Sequence, residues 1–599
     1  MTMRLADYVI EFLADHGVKE LFTVSGGGSI FLCDALARSK RVGYICCHHE
    51  QAVAMATEGY ARVKQGLGVS LVTTGPGGTN AITGVAGSWM DSVPHLVISG
   101  QVFLNQTIGT TGVRQLGVQE INIIDLIRPI TKYAVMVTDP NTIRYHLEKA
   151  LHLATTGRPG PVWLDLPANV QNAQIDEQAL PGFSPEESRV ELDQDVKEKV
   201  AQVVAWLKAS RRPLIHVGQG VRIAGAVQEF LRFVETHQLP FVTARNANDM
   251  VRSDHALYVG RPGTFAQRGP NFAVQNADVY LAVGTRLSLP QTGYNSKDFA
   301  RHAKRVMVDI DRCELNKPTL DLHLRIHTDA KTFLTELSRQ MEGALVDASA
   351  WREQCQRWKA RYPVVLPEYH RQQGSVNSYV LIDVLSDLLT AEDVVVTDMG
   401  FAFQNTHQAF RVKLGQRVFT NCGFAPMGWG LPAAVGACFA HQRRRVVCIA
   451  GEGGLMLNIQ EFATVMHHRL PIKLFILNNG GYLTIKQTQE LGFERRIMGA
   501  TEETGLSFPD MLKIADAHGI PAIRVATQEG LAGRIKETLE REGPAICEIM
   551  MDHNQEQIPK AVNRRQPDGT IRQTPLEDLY PFLDPKEVEE NMISQRRTP

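Results

Sequence analysis

The chain has 599 residues, 44% of them apolar and 21% charged, a composition that excludes extended disorder. Lys and Arg number 63 against 64 Asp and Glu, so the net charge is −1 and there is no basic footprint for nucleic acid or an acidic membrane surface. At roughly 150 residues per domain this length predicts three or four domains, and no run approaches the ~18 uncharged apolar residues of a membrane span.

In chain order, Leu5, Tyr8, Val9, Phe12 and Leu13 recur at helical spacing, with Gly17 placed as a C-cap glycine. Asp7, Glu11 and Asp15 interrupt these apolar positions, as a secretory signal would not. Nine cysteines without a CxxC pair make no disulfide framework, so a reduced, cytoplasmic protein is expected. Leu21 to Val24 then runs into Ser25-Gly26-Gly27-Gly28, which reads as strand, glycine turn and helix. GVSLVTT, GPGGTN and HLVIS repeat that rhythm. Short β-rich runs alternating with helical patterns predict an α/β fold, with ligands beyond the carboxyl ends of parallel strands.

Three such blocks follow one another, so the expected fold class is α/β with three doubly wound parallel-sheet domains. Their expected limits are 1–175, 190–345 and 370–555, followed by a tail over 556–599. Pro167 to Asp195 is polar and reads as a linker. The second block offers RPLIHVGQG, LPFVTAR, ADVYLAVG and KRVMVDID as strands. A connector over 340–375 is expected to be partly helical around Trp351 to Tyr362. The third block offers DVVVTDMG, RRVVCIAGEGG, IKLFILNNGG and AICEIM. Beyond Asp552 the chain turns polar, and 595–599 are expected to be mobile. No short-period repeat is present, although the first and third blocks are candidates for related folds.

Four segments carry chemistry. Gly451-Glu452-Gly453-Gly454 follows the buried-strand pattern VVCIA, and Asn478-Asn479 follows KLFIL. Two neighbouring strand ends then deliver Glu452 and Asn479 to one edge. A carboxylate oxygen, an amide oxygen, a backbone carbonyl and diphosphate oxygens suit octahedral Mg²⁺. The glycines admit a phosphate, and a helix beginning near Asn458 offers its N-terminus. The bland alternative is a glycine turn and an ordinary Asn turn. His48-His49-Glu50-Gln51 opens a second segment, where Glu50 is either an N-terminal helix charge or a buried acid for proton transfer. The two histidines lack a spaced third metal ligand and read as satisfied or surface residues. The third segment is Thr74-Gly75-Pro76-Gly77-Gly78-Thr79-Asn80, a rigid turn. In the fourth, Gly423 to Ala434, Met427 reads as core, while Gly428 and Gly430 also permit close backbone approach to a ligand.

In this order the four segments resemble the thiamine diphosphate (ThDP) enzymes of the acetolactate synthase type. HEQAVAMATEGYAR, GPGGTNAITGVAGSWMDSVPHLVISGQV and MGWGLPAAVGA carry the likeness, which extends from about residue 4 to about residue 550. The resemblance implies an N-terminal domain for the pyrimidine, a C-terminal domain for the diphosphate, and a middle domain that sometimes carries FAD. It also implies a homodimer or homotetramer with active sites at the subunit interface. Glu50 matches the acid that faces pyrimidine N1′, and Gln119 matches a substrate-side position. Met427 matches the apolar residue under the folded cofactor, with the Ala425 carbonyl and the Met427 N–H as partners of the aminopyrimidine. Glu452, Asn479 and the Gly481 carbonyl match the Mg²⁺ ligands. Gly26, Gly27, Pro76, Asn80, Met399, Gly400, Phe401, Ala402, Gly451, Gly453, Gly454, Tyr482 and Leu483 fall in its cofactor-binding stretches.

The chain also departs from that pattern. Glu452 replaces the usual aspartate, adding one methylene while keeping the charge. Met399-Gly400-Phe401-Ala402 lacks the Gln-His pair that follows the glycine in acetolactate synthases. Thr488 stands where they carry a tryptophan, so a bulkier acceptor fits, and GYLTIKQTQ looks more like the YerE-type carboligases of modified-sugar pathways. Arg114 reads either as a contact for an acidic substrate or as a surface residue. Gly218-Gln219-Gly220, Gly284-Thr285-Arg286, Asp309-Ile310 and Asp329 resemble flavin contacts, and generic nucleotide-fold turns explain them equally, so FAD stays open. The implied reaction takes an acyl unit from pyruvate or a similar 2-oxo acid to an aldehyde, ketone or 2-oxo acid. Acetolactate synthase proper, a 2-oxo acid decarboxylase and a non-catalytic relative are the alternatives.

Overall fold

The computed structural model describes residues 2–188, 191–565 and 568–593. Three six-stranded, all-parallel sheets form its frame. The first has the order Gly43–Cys46, Glu20–Thr23, Gly68–Val72, His95–Gln101, Pro161–Pro167, Tyr133–Met136. The third has the order Arg417–Phe419, Val394–Thr397, Val446–Gly451, Ile472–Asn478, Ala545–Met550, Ala522–Val525. Numbered within each sheet, both read 2-1-3-4-6-5, so the first and last blocks share one connectivity. The middle sheet runs Tyr258–Gly260, Phe241–Thr243, Pro213–Val217, Val279–Val283, Lys304–Asp309, Leu324–His327. That is the 3-2-1-4-5-6 order of dinucleotide-binding sheets.

The central strands are continuous Val/Ile-rich runs because helices cover both faces. VVCIA and the LFIL of the neighbouring strand are buried throughout. The predicted connector helix is present as Ser349–Arg361. The linker holds one unpredicted strand, Gln174–Asp176, which pairs antiparallel with Thr2–Arg4. The sequence also places a helix start near Asn458. It lies instead at Glu452, and Asn458 sits at a kink with non-helical φ/ψ.

The first and third domains share one core. Helix Glu50–Lys64 packs on helix Gly430–Ala440, and small residues bring the backbones together. At the end of this seam Arg62 bridges Glu58 (2.7 Å) and Asp91 (2.6 Å), while Trp429 Nε1 and Asn421 Nδ2 donate to Glu58. A buried arginine between two carboxylates, each hydrogen-bonded again across the seam, fixes the relative placement of the two domains.

Residues beyond Asp552 return to the middle domain. Asn271 Nδ2 donates to the Leu576 carbonyl at 2.8 Å, and Trp358 Nε1 donates to Asn591 Oδ1 at 2.7 Å. The expectation for 595–599 lies outside the described residues. All nine cysteines are free thiols, and among the described residues no helix is long and apolar enough to cross a membrane.

Candidate active site

The C-terminal sheet ends in four loops that enclose a cavity of about 280 Å³. Its wall contains residues 399–402, Ala425, Met427, 451–454, Asn479 and 481–483, so the predicted C-terminal positions converge on one space. Gly400, at φ +70°, turns the chain from strand Val394–Thr397 into helix Phe401–Ala409, whose N-terminal N–H groups face the cavity loop.

Glu452 Oε1 accepts the backbone N–H groups of Asn479 (2.9 Å) and Gly481 (3.0 Å). These bonds tie the loop after Val446–Gly451 to the loop after Ile472–Asn478. The remaining oxygens, Glu452 Oε2 and Asn479 Oδ1, are buried without a hydrogen-bond partner. Burial pushes the Glu452 carboxyl up to about 7 against the pull of those N–H groups. Two unpartnered oxygens beside a glycine loop fit a hard cation with oxygen ligands, and among the described residues no group of three His, Cys, Asp or Glu side chains could hold a metal, here or elsewhere, so the remaining ligands must come from backbone and cofactor. The residues present therefore fit Mg²⁺ completed by diphosphate oxygens.

Asp398 was missed by sequence reasoning. It is buried at the end of strand Val394–Thr397 and accepts the N–H of Met399 at 2.8 Å and of Gly428 at 3.1 Å. Burial raises its pKa to about 6, opposed by the N–H groups of Met399, Gly428, Trp429 and Gly430. It thereby joins the Met399 loop to the Met427 loop. The available signal was an acid directly before Met399-Gly400, at a strand's carboxyl end.

The N-terminal positions form a second group. Glu50 opens helix Glu50–Lys64 and is 9% exposed, and Asn80 Nδ2 donates to its Oε2 at 2.9 Å. Pro76 stands at the first turn of helix Pro76–Met90, and Gly26 packs against Thr73. Gly27 borders open space. His49 caps the Glu50 helix by accepting the Gln51 N–H at 3.0 Å. Gln119 is exposed at φ +65°, and Arg114 is exposed on the preceding loop. Glu120 is buried and accepts the N–H groups of Ile108 and Leu116, which shapes that loop. Among the described residues, none from this group lines the C-terminal cavity. Thr488 is exposed one turn beyond Thr484, to whose carbonyl it donates at 2.9 Å.

A second space, of about 380 Å³, lies at the carboxyl ends of the middle sheet, where the strand order reverses between Pro213–Val217 and Val279–Val283. Gln219, Gly220, Gly284, Thr285, Arg286, Asp309, Ile310 and Asp329 line it. Asp309 is raised to about 6 by burial. Arg245 and Cys422 line both this space and the C-terminal cavity.

Three family models of the thiamine pyrophosphate enzymes match the chain: the N-terminal TPP binding domain over residues 3–125, the central domain over 200–337 and the C-terminal TPP binding domain over 398–549. Among similar proteins, acetolactate synthase 1, chloroplastic, of Zea mays is 32% identical over 92% of this chain and 86% of its own length. The acetolactate synthase isozyme 2 large subunit of Escherichia coli is 32% identical over 92% and 96%. Acetolactate synthase 2, chloroplastic, of Nicotiana tabacum is 31% identical over 92% and 83%. With sheets, cavity and three matched domains in agreement, the chain belongs to the thiamine pyrophosphate enzymes as a ThDP-dependent carboligase of the acetolactate synthase family.

Proposed function

We propose that the protein uses ThDP and Mg²⁺ to take the acyl unit of pyruvate, or a close homologue, to a second carbonyl compound. The observation that carries this reading is the pair of buried, unpartnered oxygens on Glu452 and Asn479 inside the cavity. Glu452, Asn479 and the Gly481 carbonyl would hold the metal, and residues 451–454 and 399–402 would admit the diphosphate. Met427, in the cavity wall, would support the cofactor. When bound, ThDP supplies an electron sink beside the donor's carbonyl carbon. Glu50 exchanges a proton with pyrimidine N1′, and Asn80 keeps its carboxyl in place. Gln119 borders the substrate.

The cofactor is held between two copies of the chain, so the protein is a homodimer or homotetramer. Two features support this. The Glu50 group contributes nothing to the cavity of its own chain, and apolar side chains are exposed around both halves, including Leu116 and Val118 on one and Phe424 and Ile485 on the other. The domain limits proposed are 1–175, 190–345 and 370–555. The middle-domain space suits a nucleotide, and FAD is the occupant the family suggests. A flavin absorbance band in the purified protein tests that assignment.

Glu50→Gln tests the core of the reading. Turnover of pyruvate is expected to fall by about 10²–10⁴-fold, the usual worth of a positioned acid or base, while ThDP still binds. Unchanged turnover rejects it.

A further inference from the structure

Arg245 opens the turn Arg245–Met250, directly after strand Phe241–Thr243 of the middle sheet. Among the described residues it is the only side chain from outside the C-terminal domain in the wall of the ThDP cavity, and the only Lys, Arg or His there. Its guanidinium carbon lies 5.3 Å from the centroid of the Phe403 ring.

Buried and half-buried arginines of the same region are compensated. Arg62 has Glu58 and Asp91, and Arg222 and Arg417 share Asp249. Arg158 has Asp311 and Glu314, while Arg261 donates to the Thr406, His407 and Phe410 carbonyls. Arg245 is half-buried, with neither ion pair nor hydrogen bond among the described residues, and its nitrogens are reached by water rather than by a carboxylate. A half-buried guanidinium with no carboxylate beside it is free to pair with an anion that enters the cavity and displaces its water.

We propose that Arg245 is a specificity-determining residue that recognises an acceptor bearing a negative charge it keeps through the reaction, a carboxylate or a phosphate ester. This rests on the carboligase reading. The departing carboxylate of the donor is a poor match. A cation holding it would stabilise the reactant and lose that contact as CO₂ leaves, which raises the barrier. The diphosphate has its own anchors in Glu452, Asn479 and the glycine loops. The middle-domain space, which Arg245 also borders, has further cations in Arg158 and Arg286, the latter donating to the Met90 carbonyl. The acceptor is the anion without a partner.

The test uses the full-length enzyme with ThDP and Mg²⁺, pyruvate as donor, and paired acceptors: 2-oxobutyrate and glyceraldehyde 3-phosphate against propanal and glyceraldehyde. Arg245→Met and Arg245→Gln are expected to lower kcat/KM about ten- to a hundredfold for whichever charged acceptor the wild type uses, the worth of a charged hydrogen bond. The readout is the ratio of kcat/KM for charged over neutral acceptors, which is expected to fall by that factor. Arg245→Lys recovers part of the loss, and thermal melts show that the variants fold. Loss on 2-oxobutyrate alone assigns a carboxylate, and loss on the triose phosphate alone assigns a phosphate. Equal losses for charged and neutral acceptors overturn the proposal. So does weakened ThDP binding by calorimetry, which would make Arg245 a diphosphate contact, or weakened binding of FAD or ADP, which would assign it to the neighbouring space. A wild type that neither binds ThDP nor consumes pyruvate overturns the carboligase reading itself.

Discussion

Gly436 faces Ala56 across the seam between the first and third domains so closely that a Cβ at position 436 would lie 1.7 Å from the Ala56 carbonyl oxygen. No rotamer relieves that contact, because the obstacle is backbone. Gly436→Ala is expected to force the helices apart at a cost of about 1–3 kcal/mol, read as a melting temperature several degrees lower. An unchanged melt would mean that the helices can slide freely.

Metal dependence separates the two oxygen ligands from the rest of the cavity. Glu452→Ala and Asn479→Ala are each expected to abolish Mg²⁺-dependent ThDP binding in calorimetry with little change in the melt of the cofactor-free protein. Glu452→Asp shortens the reach by one methylene and is expected to retain measurable binding. Full affinity in Glu452→Ala would place the metal elsewhere.

Asp398 acts through the loops it joins. Asp398→Asn replaces one accepting oxygen by a donor and sets it against the Gly428 or Met399 N–H. A buried N–H left without an acceptor costs about 1–3 kcal/mol, so ThDP affinity is expected to fall about ten- to a hundredfold. Equal affinity in the two proteins would show that the loops keep their places without it.

Acid stability has a clear contributor in His95. It is fully buried between Ser70 Oγ (2.7 Å) and Ser88 Oγ (3.1 Å), and burial pulls its pKa down to about 3 from 6.5. The unfolded chain takes up this proton below pH 6.5, whereas the folded one refuses it until about pH 3. Its contribution is therefore whole above pH 6.5 and is lost as the pH falls, at about 1.4 kcal/mol per unit. In His95→Asn the drop in urea midpoint between pH 6.5 and pH 4 is expected to be shallower by that one proton. An identical slope would show that His95 titrates as it does when unfolded.

Mixed dimers test the shared site. Neither Glu50→Gln nor Glu452→Ala alone should turn over pyruvate. In a mixed dimer one of the two sites keeps both intact residues. Equal amounts, co-expressed, should regain about a quarter of wild-type activity by random pairing under twofold symmetry. No recovery would mean that each chain builds its site alone.

Much of this was legible in the amino-acid pattern. Parallel strands buried on both faces are unbroken apolar runs, so VVCIA and KLFIL announce themselves, and the glycines and acids beyond them mark the carboxyl ends. Three-residue strands such as Thr2–Arg4 and Gln174–Asp176 carry no such run, and their pairing is fixed only by the assembled domain. The helix start was misplaced because glycines read as a turn. Gly453 is helical here, and a Cβ on it would lie 2.4 Å from the Tyr482 ring, so close packing explains the glycine. Arg245 closes the strand candidate LPFVTAR, but what marks it is a missing partner, and a missing partner is a property of three dimensions.

The last helix, Pro585–Asn591, is fastened to Trp358 through Asn591, and Leu576 and Met592 belong to the same apolar cluster as Phe272 and Trp358. The middle domain therefore cannot be finished when its own segment leaves the ribosome. It waits until Leu576 to Met592 have been made, with Phe272 and Trp358 uncovered in the nascent chain. A premature stop after the third sheet would leave that interior open, and such truncated products are expected to be chaperone clients rather than smaller working enzymes.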